Sequence, residues 1–274
     1  MNTKKSKIEG SVVTIVLGLG GIVTSIPFIW MILSSFKEDR EVLSIPPTII
    51  PKTPTLENYL ILFTKLDFGI YLKNTLIIVL FSMIGLLLNT MAGYGFAKFQ
   101  FRYKEALFLL VLTTLMIPGQ VTMIPTYLII NKMELTNSMT GIILPGLISA
   151  FSIFLIRQFM VTIPNDLIEA ARLDGASEWY IFTRIILPLS KPILAVQMIL
   201  TFIGAWNSFL WPLIIANDDA LYTLSVGLSL LKGQYTTNFA VQMAGATFMV
   251  IPILIIFMFF QKHIVQGFNM SGIK

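Results

Sequence analysis

Six stretches of this chain carry no Asp, Glu, Lys or Arg: residues 10–36, 74–97, 106–131, 135–156, 192–217 and 233–261. Each exceeds the ~20 residues that an α-helix needs to cross the hydrocarbon of a bilayer. The pattern predicts transmembrane helices near residues 12–33, 76–96, 106–130, 139–159, 193–215 and 239–260, and hence an all-α polytopic membrane protein. Composition agrees, since 55% hydrophobic residues against 12% charged, with a mean hydropathy of +0.81, fit no soluble globular class. The first run follows Lys4, Lys5 and Lys7 like the basic start of a signal peptide. It is too long for a cleavable apolar region of ~7–15 residues and continues through Pro27 and Trp30, so it reads as a retained helix.

Orientation follows from the basic residues. With the N-terminus cytoplasmic, six spans return the C-terminus to the same side, in a plasma or inner membrane. Twelve Lys and Arg then lie inside and seven outside, and five of the seven sit in one long loop, which weighs little in the positive-inside rule. The basic pI of about 9.3 therefore reflects membrane orientation and not a nucleic-acid partner. On this topology residues 37–73 form an external loop held from long helix by Pro46, Pro47, Pro51 and Pro54, and residues 160–191 a cytoplasmic loop. The stretch from Tyr222 to Asn238 is a second external surface. Residues 1–274 read as a single transmembrane domain.

What is missing narrows the chemistry. Without cysteine there is no disulfide, thiolate metal site or cysteine nucleophile, and His263, the sole histidine, follows Lys262 at the end of the last span. No catalytic residue and no metal site is expected, and an intramembrane protease would need a His or paired Asp inside the spans. No P-loop pattern occurs, so this chain binds no ATP through one of its own. The spans also lack ionisable groups at mid-depth, where ion-coupled carriers place them. Uphill transport would draw its energy from a partner. A stand-alone channel, the remaining class, would conduct without nucleotide.

The place to meet such a partner is the charged island around Asp166, Glu169, Arg172, Asp174, Glu178 and Arg184, which cannot sit in hydrocarbon at ~2.5–3.5 kcal/mol per charge. Asn165 or Asp166 can cap a short helix, with Glu169 completing an acidic variant of the capping box. Gly175 suits a left-handed stop, and Ser177 can cap a second short helix toward Pro188. Leu167, Ala170, Ala171, Trp179 and Phe182 give this pair apolar surface that one loop does not bury alone. The alternative is an amphipathic hairpin lying on the inner leaflet.

Uncharged polar groups in the spans, Asn89, Gln120, Gln197, Asn207 and Gln242, suit neutral hydroxyls, and Tyr94, Trp206 and Trp211 offer stacking faces. Polar residues in membranes also bond across helices, and Trp211 suits an interfacial anchor, so packing competes with substrate contact at each position. Pro118 and Pro125, with Gly119 beside Gln120, mark either an interruption of the third span or ordinary kinks, the commoner outcome. Ala240 and Ala244 have the spacing of a close helix contact.

The pattern Glu169-Ala170-Ala171, three residues, Gly175, nine residues, Ile185, one residue, Leu187-Pro188 resembles the EAA signature of ABC importer permeases at every fixed position. PTLENY from Pro54, MIPGQV from Met116, ARLDGAS from Ala171, LPLSKP from Leu187, GAWNSFLWPL from Gly204, YTLSVGL from Tyr222 and FFQK from Phe259 extend the likeness to the carbohydrate-uptake branch, specifically the smaller six-helix member of the maltose-type permease pair. The resemblance implies a type I importer fold and a binding-protein-dependent sugar permease. Its partners would be a second permease in a heterodimer, two cytoplasmic ATPases that bind the ATP and Mg, and an external substrate-binding protein. No cofactor would sit in this chain. The island would be the coupling helix, with Glu169 making the polar ATPase contact, Ala170 and Ala171 allowing close approach, Gly175 turning the chain, and Asp174, Leu187 and Pro188 completing the motif. The tail from Lys262 to Lys274 would touch the ATPases, and the loop around Tyr222 to Asn238 the binding protein. Asn89, Tyr94, Gln120, Trp206 and Asn207 are the expected substrate-path residues. A permease of the same machinery for another solute, such as glycerol phosphate, is the nearest alternative.

Overall fold

A computed structural model describes the backbone of residues 2–234 and 238–270 and the side chains of residues 13–231 and 238–261. The side chains of Lys262 to Lys274, and of residues 232–237 within the loop from Tyr222 to Asn238, lie outside the described residues. Among the described residues every regular element is a helix. Five stretches are long and apolar enough to cross a membrane: Val13–Ser34, Phe68–Lys98, Met139–Val161, Lys191–Ile215 and Phe239–Gln261. Lys104–Leu115 and Gly119–Lys132 make a sixth, taken together.

The chain divides into two compact units. The first comprises residues 1–68 and 228–251. It contains α1 (Asn2–Ser34), α2 (Asp39–Val42), α3 (Glu57–Lys65) and the first half of the last long helix, Phe239–Met270. Its order comes from a few polar residues close to the end of α1. Asn58 Nδ2 donates to the carbonyls of Ser35 and Lys37 at 2.9 and 2.8 Å, so α3 satisfies the turn that follows α1. Lys37 is fully buried, which demands compensation. Its Nζ donates to the Thr48 carbonyl and lies 4.5 Å over the Trp30 ring. Glu41 accepts from the Thr48 hydroxyl at 2.7 Å and from the Lys52 amide at 3.0 Å, which folds the proline-rich segment back on itself. Phe63, Phe68 and Phe248 meet with ring centroids 5.5 Å apart, and Ala240 and Ala244 are buried completely, as their spacing suggested.

The second unit comprises residues 69–227 and 252–274. It holds most of α4 (Phe68–Lys98), which begins eight residues before the predicted span, so the expected loop 37–73 ends earlier. Next come α5 (Lys104–Leu115) and α6 (Gly119–Lys132), which meet at 105°. The third span is thus a broken one, not a kinked one. Pro118 has no N–H to continue the ladder, and its backbone, φ −57° and ψ 133°, turns the chain out of helix before Gly119. The fourth span is also divided, into α7 (Met139–Ile143), a single 3-10 turn Leu144–Gly146, and α8 (Ala150–Val161). After the charged loop come α12 (Lys191–Trp206) and α13 (Leu210–Ile215), separated at residues 207–209. Two buried clusters hold these pieces: Leu86, Tyr94, Ile156, Met160, Ile163, Ile168, Ile181, Phe182 and Ile186 at one place, Ile78, Ile130, Ile142, Ala205, Ile215 and Ala216 at another.

Candidate functional site

The charged loop begins with α9 (Asp166–Leu173). Asn165 occupies the N-cap position, but its side chain makes no capping bond, and no capping box forms. Its Oδ1 instead accepts from Lys98 Nζ at 2.9 Å, the same ammonium that donates to the Ile163 carbonyl at 2.5 Å. A tertiary cation outcompetes the local cap. The acidic first turn, Asp166 and Glu169, still complements the positive end of the helix.

The C-terminus of α9 closes as the sequence predicts. Gly175 has φ 81°, its N–H donates to the Arg172 carbonyl at 3.0 Å, and the Ala176 N–H donates to the Ala171 carbonyl at 2.9 Å. These are the paired bonds of a Schellman turn, which favours glycine at the left-handed position. Ser177 then accepts from the Tyr180 N–H at 3.2 Å and opens α10 (Glu178–Tyr180), which runs through a π-helical turn, Ile181–Ile186, into α11 (Leu187–Leu189). Arg172 Nε and Glu178 Oε1 join the two arms at 2.7 Å. That hydrogen bond, first among the causes, raises the Arg172 guanidinium above its ordinary value. Both partners are exposed, so the pair adds only ~0–1 kcal/mol.

Anchoring is apolar. Ile168, Ile181, Phe182 and Ile186 are buried beside Leu86 and Tyr94 of α4 and Ile156 and Met160 of α8. Phe182 was expected on the partner-facing surface and lies inside instead, between Tyr94 and Trp179 at centroid distances of 5.2 and 5.8 Å. The physical reason is a distant neighbour, since Tyr94 of α4 offers Phe182 a ring to pack on, while the wider winding of the π-turn brings Ile181 and Ile186, five residues apart, to the same face. Ala171 also packs inward, half-buried against this cluster, as does Leu187. Facing out are Glu169, Ala170, Asp174, Gly175 and Pro188, with Leu167, Trp179 and Tyr180 exposed and Leu173 89% exposed. So large an apolar side chain so fully uncovered at a helix end, with Trp179 also exposed in the next short helix, suits a protein partner.

The other site is a cavity of about 710 Å³ within the second unit, where the broken spans come together. Gly119, Gln120, Thr122 and Met123 of α6 line it, with Pro145, Gly146 and Ser149 from the interruption before α8, Gln197, Leu200 and Thr201 of α12, Ser208 and Phe209 from the break before α13, and Trp211 of α13. None of the lining residues is ionisable. Asn89 lines it too, yet its amide is already spent: Nδ2 donates to the Leu147 carbonyl at 3.2 Å and Oδ1 accepts from the Ser149 N–H at 3.0 Å. It supplies the partners that the unwound backbone lacks within a span. Gly85, one turn earlier, lets α4 approach this segment, since a Cβ there would run into the Leu147 carbonyl. Trp211 Nε1 donates to the Gly141 carbonyl at 3.2 Å.

Of the expected substrate-path residues, the structure brings together Asn89 and Gln120. It does not bring in Tyr94, which is buried under the charged loop beside Phe99 and Phe182. Trp206 is stacked on Phe202 at 5.5 Å, and Asn207 is the exposed C-cap of α12 outside the cavity lining. Gln242 belongs to the other unit. Sequence reasoning missed Ser149, Thr201 and Ser208, whose only signals were Pro145-Gly146 and Asn207-Ser208 interrupting apolar runs. Among the described residues no group of His, Asp or Glu could hold a metal ion.

Residues 83–270 match the family described as binding-protein-dependent transport system inner membrane component. Over 280 residues, covering all of both chains, the sequence is 35% identical to the arabinooligosaccharides transport system permease protein AraQ of Halalkalibacterium halodurans. It is 33% identical over 258 residues, 91% of this chain and 92% of the relative, to the sn-glycerol-3-phosphate transport system permease protein UgpE of Salmonella typhi. In fold it is similar to a chain of a bacterial ABC transporter involved in the import of the acidic polysaccharide alginate, with a TM-score of 0.78 at 24% identity over 94% of this chain and 97% of that one.

Proposed function

The chain belongs to the family of inner membrane components of binding-protein-dependent transport systems, and on that premise we propose that it is one permease of an ATP-driven importer for neutral oligosaccharides. It is a multi-pass membrane protein and a transporter subunit, not an enzyme. The observation that carries the substrate class is the cavity: its polar lining is amide and hydroxyl throughout, with no Lys or Arg to neutralise a phosphate. A relative of the same length named for arabinooligosaccharides supports this reading.

In this proposal residues 1–274 act as one transmembrane domain beside a sister permease, two cytoplasmic ATPases carry the ATP and Mg, and an external binding protein delivers the sugar. Both termini and the loop 160–191 lie in the cytoplasm. The exposed face of the loop, with Glu169, Ala170, Asp174, Gly175 and Pro188, docks on an ATPase, while Ala171 and Leu187 pack it on the membrane helices. Closure of the ATPases then displaces the loop as a body, because Ile168, Ile181, Phe182 and Ile186 key it to α4 and α8. α4 also carries Asn89, which holds the Leu147 and Ser149 backbone beside the cavity. One helix thus touches both the loop and the interruption, and its motion would reshape the cavity.

The test is uptake by the complete complex in proteoliposomes, with binding protein outside and ATP inside. Arabinotriose should accumulate only when ATP and all subunits are present. Accumulation of glycerol 3-phosphate and of no oligosaccharide would refute the substrate class, and sugar flux without nucleotide would make the chain a channel.

A further inference from the structure

Resting on the reading of the chain as an oligosaccharide permease, we propose that this subunit itself holds a sugar residue in its own cavity, and that Gln197 is the hydrogen-bond donor that recognises it. Gln197 lines the cavity from α12, yet the residue is only 1% exposed and its Nε2 has no hydrogen-bond partner among the described residues. Buried side-chain amides are almost always paired, because an unmade bond leaves the group's desolvation uncompensated. Several other polar groups around the same space are committed. Asn89 bonds at both ends to the interruption before α8, Trp211 Nε1 to Gly141, and the Thr122 hydroxyl to the Gly119 carbonyl at 2.9 Å. Gln197 therefore offers a desolvated donor that no described residue receives.

The cavity sets the class of acceptor. At about 710 Å³ it falls within the ~300–1,000 Å³ of small-molecule sites. Its lining has no charge to compensate an anion or a cation, so the acceptor is a neutral oxygen. Phe209 and Trp211 add the flat apolar faces on which the C–H side of a sugar ring rests. A sugar hydroxyl satisfies these conditions, and the Gln197 amide distinguishes it from a hydrocarbon of the same size.

The experiment uses the complete complex with its binding protein in proteoliposomes and reads arabinotriose uptake per ATP hydrolysed. Gln197→Met keeps the length and removes the amide. Uptake per ATP should fall about fivefold, the effect of one hydrogen bond. A merely structural role would lower uptake and hydrolysis in parallel and leave the ratio unchanged, and an unchanged ratio overturns the assignment. A second measurement does not depend on that variant folding. The chain has no cysteine, so Thr201→Cys, one turn along α12 in the cavity lining, is its single thiol. Saturating arabinotriose should slow maleimide labelling of this thiol in the complex. Labelling at the same rate with and without the sugar means that water alone fills the cavity, and overturns the proposal. A wild-type complex that moves glycerol 3-phosphate and no arabinotriose fails differently, because it removes the oligosaccharide reading on which the Gln197 site rests.

Discussion

Replacing Gly175 separates the conformation of the charged loop from its attachment. The residue sits at φ 81°, and a Cβ built on it would meet no atom within 4 Å, so a side chain here is opposed by backbone strain and not by collision. That strain is ~1–2 kcal/mol for alanine in the left-handed region and reaches about 3 kcal/mol for a β-branched residue. Holding the loop in place are Ile168, Ile181, Phe182 and Ile186, each worth ~1.5–3 kcal/mol when buried, roughly 6–12 kcal/mol together. The strain is the smaller quantity, so Gly175→Val relieves it by opening the bonds to the Arg172 and Ala171 carbonyls while the anchors stay seated. An ATPase that needs the native turn must restore the strain on docking, which weakens association by about 5- to 150-fold. Gly175→Ala should fall near the lower end, and Gly175→Asn, which tolerates a left-handed backbone, should bind almost as wild type. The assay titrates purified ATPase onto the permease pair in nanodiscs and follows binding-protein-stimulated hydrolysis at each point. Equal affinity for the Asn and Val variants would show that the turn is no part of the docking surface. Loss of the Val variant from the membrane would show that the anchors are weaker than their burial implies.

Trp179→Ala and Leu173→Ala remove exposed surface, so membrane abundance should hold while ATPase co-purification drops, by ~1–2 kcal/mol or more at a contact centre; full retention in both variants would move the docking face elsewhere. Gly85→Ala drives a Cβ into the Leu147 backbone and should destabilise the detergent-solubilised protein by ~1–3 kcal/mol, whereas Gly95→Ala, with open space around it in the same helix, should be neutral or stabilising in a thermal unfolding series. The Thr48 hydroxyl, ahead of any other cause, holds the Glu41 carboxyl below its ordinary 4.5. A depressed carboxylate contributes stability above its unfolded pKa and loses it as pH falls through the lower folded value. Amide-exchange protection of residues 38–52 should therefore decline as pH drops below about 4.5, and Glu41→Gln should flatten that dependence; equal pH profiles for the two proteins would exclude Glu41 as the titrating group.

How much of this was legible depended on how local the physics is. The turn at Gly175 and the cap at Ser177 were readable because donor, acceptor and backbone all lie within a few residues. Asn165 was misread because its competitor, Lys98, is 67 positions away in the chain, and Phe182 because the ring it packs on, Tyr94, belongs to another helix. Charge-free length revealed the spans but not their continuity. Residues 106–131 are uniformly free of charge, yet the chain turns through 105° before Gly119. The cavity lies beyond such reading altogether, since its lining comes from pieces that meet only after the spans break. Asn89 and Gln197 make the point most sharply. In the sequence they are equivalent, carboxamides inside apolar runs, and each could bond a neighbouring helix or a sugar. In the fold Asn89 gives both polar ends to the backbone between Leu147 and Ser149, while Gln197 lines the cavity with a buried nitrogen that has no partner among the described residues. Composition reports what solvent a side chain tolerates; only its hydrogen-bond partners distinguish an amide that braces the protein from one left for a ligand.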